Sequence, residues 1–127
     1  MNMICVIAFI VIAFFSSGCA STKYAWNNYD GVLYKHYKNP HDNEEFIEHL
    51  NEIIQEGEAS GKIPPGIYAE YGYAMYERGQ YDEAIKFYQK EYDKWPESRT
   101  FMTKMIATAK NQNKIRSQKT LTDNSTL

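Results

Sequence analysis

Pro40, Gly57, Pro64-Pro65, Gly79 and Pro96 break the chain from Tyr29 onward into pieces of helical length. Within each piece the apolar residues recur at intervals of three and four, the spacing that gathers them on one side of an α-helix. Tyr29, Leu33 and Tyr37 predict a first short helix to Lys38, stopped by Pro40. Asp42, with Glu45 three places on, offers a capping box for the next helix. There Phe46, Ile47, Leu50, Ile53 and Ile54 form one stripe, and Glu44, Glu48, Asn51, Glu52 and Gln55 face water. This helix is expected to end near Gly57, leaving Glu58 to Lys62 as a loop. Pro65 suits the first turn of a third helix, because its missing N–H is no loss there. Ile67, Tyr68, Tyr71, Gly72 and Met75 share one side of it, and Gly79 ends it. Tyr81, Ala84, Ile85, Tyr88 and Tyr92 stripe a fourth helix; Phe101, Met102, Met105, Ile106 and Ala109 stripe a fifth that begins near Ser98. No run after Cys19 alternates in the manner of a strand. The expected fold is all-α, with its domain over residues 29–110.

The polar stretch at 111–127 is expected to be disordered, since it has too little apolar surface to offset the entropy of ordering. Lys110, Lys114, Arg116 and Lys119 are expected to belong to a solvated tail, the competing reading being contact with an anionic surface.

Residues 3–15 form an uncharged apolar run of thirteen. As a helix this run spans about 20 Å, short of a hydrocarbon core of about 30 Å. The length fits the apolar part of an export signal, and small residues follow at once. Ser16-Ser17-Gly18-Cys19 resembles the bacterial lipobox. That resemblance implies a signal peptide over 1–18, acylation of Cys19 with palmitate-class chains, and a lipidated tether over 19–28. Ser16 stands where leucine is usual, and Met1-Asn2-Met3 carries no lysine or arginine. Two or three acyl chains anchor firmly, because each buried methylene contributes about 0.8 kcal/mol. Ala20 rather than aspartate follows the cysteine, which by the same resemblance implies the outer membrane, periplasmic face. Cys5 lies within the signal, so the processed chain has no disulfide and depends on packing.

Charge and residue types narrow the function. A net charge of −2 with no basic stripe speaks against nucleic acid. His36, His41 and His49 are spaced so that no two share a helical face, and no cysteine pair joins them, so no metal site is expected. Serines lack a nucleophile-elbow setting, and the carboxylates fall on polar helix faces. The chain is read as a non-enzyme without cofactor. All eleven tyrosines follow the signal, and aromatic residues make up 15% of the chain, which suits a small core or an adhesive surface.

Residues 65–98 resemble one tetratricopeptide repeat. The matching positions are Tyr68, Tyr71, Gly72 and Met75 on one helix, Gly79 and Tyr81 at the turn, and Ala84, Tyr88 and Pro96 beyond it. Glu91 departs from the pattern, which usually has a small residue there. The resemblance implies a tetratricopeptide-like helical hairpin flanked by degenerate repeats. Its first helix would line a groove with Glu70, Tyr73, Tyr76 and Glu77, able to grip a basic or aromatic-rich peptide. The competing reading of these four is a solvated acidic face. The aromatic segment from Tyr24 to Tyr37 is expected either to cap the Phe46–Ile54 helix or to dock near the membrane.

Four strings extend the likeness to most of the chain: Tyr24-x-Trp26-x-x-Tyr29-Asp30, Leu33-Tyr34-x-x-Tyr37-Lys38-x-Pro40, Pro64-Pro65-Gly66-x-Tyr68-Ala69-Glu70-Tyr71-Gly72 and Trp95-Pro96-Glu97-Ser98. With them the chain resembles a family of short bacterial lipoproteins of unknown function, often encoded beside a lipoprotein similar to the curli secretion channel. What the resemblance implies is a protein-binding accessory in an envelope assembly or secretion complex, its partner an envelope protein such as that channel-like lipoprotein. The alternative expectation is a structural envelope lipoprotein that self-associates through its tyrosines.

Overall fold

In a computed structural model, residues 22–40 and 43–124 are described. The expected signal peptide, Cys19 with the first residues of the expected tether, His41 and the expected Asp42 cap lie outside them. Five α-helices follow in order: α1 Tyr29–Lys38, α2 Asn43–Ser60, α3 Ile67–Glu77, α4 Tyr81–Lys94 and α5 Arg99–Asn124, with a short 3-10 turn at Pro96–Ser98. The described residues form no strand, and the fold is all-α.

The helices pack mainly along the chain: α4 lies against both α3 and α5, α2 against α3, and α1 against α2. The α2 stripe is buried as a unit, Phe46, Ile47, Leu50, Ile53 and Ile54 together. Leu50, Ile53 and Ile54 join Ile63, Ile67, Tyr68 and Phe87 in one core cluster. Met75, Ala84, Tyr88, Met102 and Ala109 form a second, which ties α3 and α4 to α5. Burial of this kind contributes roughly 25 cal/mol per Å² of apolar surface and is what keeps such short helices formed.

Close approach of α3 and α4 depends on Gly72. A Cβ built there would stand 2.8 Å from Tyr88 ring carbons and 3.2 Å from the Ala84 carbonyl oxygen. Gly79, at φ 72°, turns the chain between the two helices.

Several elements differ from the sequence expectation. The inward face of α1 is Tyr29, Val32 and His36; Leu33 is exposed and Tyr37 is 77% exposed. Both sets satisfy helical spacing, and the choice follows from His36 stacking on Phe46 at 4.3 Å. Helix α2 continues three residues beyond Gly57, which is buried against Ile63. Pro64 and Pro65 precede α3, whose N-cap is Gly66. On α5, Phe101 turns outward and is 60% exposed.

The helix also does not stop at Lys110. It continues to Asn124, and two contacts hold the extension to the α3–α4 turn. Arg116 Nη1 donates to the Gly79 carbonyl at 2.6 Å, and Asn113 Nδ2 donates to Asp82 at 2.7 Å. The packed first half of α5 supplies the nucleus, after which each added residue gains a hydrogen bond at little further cost. Residues 111–124, expected to be disordered, are therefore helical.

The segment before α1 is packed rather than free. The Ala25 N–H donates to the Lys62 carbonyl at 2.9 Å, Tyr24 meets Trp95 edge-on at 5.9 Å, and Trp26 lies 5.5 Å from the Tyr29 ring. Tyr29 and Val32 rest on the first core cluster. This part of the tether expected over 19–28 is thus seated on the domain.

Candidate functional site: a cleft walled by four helices

Glu91 shows how the walls are held. Its side chain is 1% exposed, where a small residue would be expected. The carboxylate accepts the Gly66 N–H at 2.9 Å, at the start of α3, and the Ser98 hydroxyl at 3.1 Å, before α5. Burial pushes the carboxyl above its ordinary range, while those two hydrogen bonds and the Ala69 backbone pull it back. One side chain of α4 thereby fastens the beginnings of both α3 and α5, and the contact is tight rather than loose.

Between α1 and α2 on one side and α3 and α5 on the other lies a cleft of about 490 Å³. That volume falls in the range of sites that enclose a small ligand or a few side chains. Phe46 and Ile47 from α2, Met102 and Met105 from α5 and Ala74 from α3 make its walls apolar, and Tyr88 of α4 lies at its floor. Leu33 and His36 come from α1, and Phe101 from α5. Methionines beside aromatic rings form an adaptable apolar surface, since the thioether is flexible and polarisable.

Three of the four residues expected to bind a partner stand in this wall: Glu70, Tyr73 and Glu77. They are not equivalent. Glu70 is half-buried and accepts the Tyr29 hydroxyl, tying α1 to α3. Burial raises the Glu70 carboxyl above its usual range, against the pull of that hydrogen bond and of His36. Tyr73 is 51% exposed at the rim, and Glu77 is exposed beside it. The Glu77 charge pushes the Tyr73 hydroxyl up, chiefly through space. Tyr76 is not part of the wall; it stacks on Tyr73 at 6.4 Å and packs on Tyr81 at 5.4 Å.

Two polar groups of the cleft lack partners. The hydroxyl of Tyr88, a fully buried residue, makes no hydrogen bond, and neither does His36 Nδ1. A buried group left in that state costs about 1–3 kcal/mol. Burial first, then Tyr76, Tyr73 and Glu77, raise the Tyr88 hydroxyl, so it lies within electrostatic reach of the rim.

Sequence reasoning missed Leu33, His36, Phe46, Phe101, Met102, Met105 and Tyr88 as parts of one surface. Spacing places Leu33, Phe46, Tyr88, Phe101, Met102 and Met105 on the apolar stripes of separate helices, and His36 enters only as a histidine without metal-binding company. No spacing within one helix reports which neighbour its side chains will face. Among the described residues no group of three or more His, Cys, Asp or Glu comes together as metal ligands would. No helix among them is long and apolar enough to cross a membrane.

Fold and cleft together define a class: an all-helical domain with an apolar cleft that carries a carboxylate and aromatic rings at its rim. The chain belongs to the family described as a domain of unknown function, DUF4810, whose pattern matches residues 23–105. Every cleft residue from Leu33 to Met105 lies inside that match. No curated protein and no solved structure matches the chain.

Proposed function

We propose that this chain is a lipid-anchored module on the periplasmic face of the outer membrane, which binds another envelope protein through the cleft between α1, α2, α3 and α5. The observation that supports the reading is the cleft itself, with apolar walls and with Tyr73, Glu77 and Phe101 accessible at its edge. Large aromatic residues around an apolar pocket are the usual anchors of protein recognition. The anchor part of the proposal rests on the apolar run and on Ser16-Ser17-Gly18-Cys19. The tetratricopeptide-like part rests on the α3–α4 hairpin, in which Gly72 and Ala84 permit close approach and α3 lines the cleft. A role in a secretion or assembly complex with a channel-like lipoprotein follows from the family resemblance.

A second reading has its own observation. Tyr34 and Tyr37 are largely exposed on α1 and lie outside the cleft wall, a surface through which copies of the chain would self-associate. One experiment separates the two. Wild type and a Tyr73→Ala, Phe101→Ala double variant are extracted in mild detergent, and stoichiometric partners are identified. A foreign envelope protein held by wild type and lost from the variant is expected. Only homo-oligomer, unchanged by the two substitutions, would replace the first reading with the second. Intact mass of the exported chain, expected to show acylated Cys19, tests the anchor separately.

A further inference from the structure

Among the described residues, two carboxylates and no lysine or arginine stand in the cleft wall. Of the two, Glu70 is half-buried and accepts the Tyr29 hydroxyl, whereas Glu77, hydrogen-bonded by Tyr73, is exposed to solvent at the rim. The same wall carries Phe46, Met102 and Met105.

Resting on the reading of the cleft as a partner site, we propose that its occupant is a peptide segment with one lysine or arginine beside a large apolar side chain. The cation pairs with Glu77, and the apolar group enters between Phe46, Met102 and Met105. Charge complementarity selects the cation: an acidic segment would meet Glu77 and Glu70 with like charge, whereas a neutral one would leave Glu77 unused. The two methionines accommodate more than one apolar side chain, so the site reads a class of segment rather than one sequence.

The test uses the full chain in detergent with its methionine methyl groups isotopically labelled. Met102 and Met105 report the cleft, and Met75 reports the adjoining core. The probes are three acetylated peptide amides: one with a leucine-arginine-phenylalanine centre, one with glutamate in place of arginine, and one with serines in place of leucine and phenylalanine. The arginine peptide is expected to shift the Met102 and Met105 signals to saturation. Glu77→Gln should weaken it by up to about fivefold, the range of an exposed ion pair, and added salt should weaken it likewise. Equal response to the arginine and glutamate peptides overturns the cationic occupant while leaving the cleft as a docking site. Absence of any shift at Met102 and Met105, with partner capture still dependent on Tyr73 and Phe101, overturns the proposed chemistry and keeps the broader reading.

Discussion

Replacing Glu91 tests the packing logic most directly, because this carboxylate is both the least expected buried group and the fastening of two helix starts. Glu91→Ala leaves the Gly66 N–H and the Ser98 hydroxyl without their acceptor and opens a void between α3, α4 and α5. A buried donor left unsatisfied costs about 1–3 kcal/mol, and Ser98 can turn partly to water, so the sum is about 2–4 kcal/mol. For a domain of this size that lowers the melting temperature by roughly 10–25 °C. Glu91→Gln retains a carbonyl acceptor for both donors and removes the charge. Burial raises the Glu91 carboxyl in the fold, so the native state holds its proton more tightly than the unfolded chain. The associated stability is fully present below the ordinary glutamate range and is lost as pH rises through the raised value, at a slope of at most about 1.4 kcal/mol per pH unit. The glutamine variant lacks that loss. Relative to wild type it should therefore gain stability as pH rises from the ordinary glutamate range through that raised value, while Glu70, raised for the same reason, shifts both proteins alike. Thermal unfolding by circular dichroism across that range is the assay. An alanine variant melting within about 2 °C of wild type, or pH profiles of wild type and glutamine variant that run parallel, would refute the reasoning.

Two further outcomes follow from the packing. Gly72→Val drives a branched side chain into the Tyr88 ring and the Ala84 carbonyl, and should lower stability by about 2–3 kcal/mol, measured by urea unfolding; an unchanged midpoint would mean that α3 and α4 separate without penalty. Ending the chain after Lys110 removes the Arg116–Gly79 and Asn113–Asp82 contacts, and should cost about 1–2 kcal/mol together with the helical signal of the lost segment; no change in either would return the tail to the disordered state.

What the sequence determined by itself is the set of helices and most of their buried faces. Phe46, Leu50 and Ile53 on α2, and Ile67, Gly72 and Met75 on α3, were legible because period and burial coincide over several turns. Such information is local, carried by neighbours along one helix. Tertiary structure alone decided the rest. It chose Val32 over Leu33 on α1, buried Phe87 and Glu91 on α4, carried α5 past Lys110, and turned Phe101 to the rim while Met102 went inward. The cleft was half legible: Glu70, Tyr73 and Glu77 follow from their shared side of one helix, but the wall facing them comes from helices distant in sequence. A side chain's spacing tells which of its own neighbours it stands beside. Only packing tells what stands across from it, because that depends on shape and on partners that no local pattern encodes.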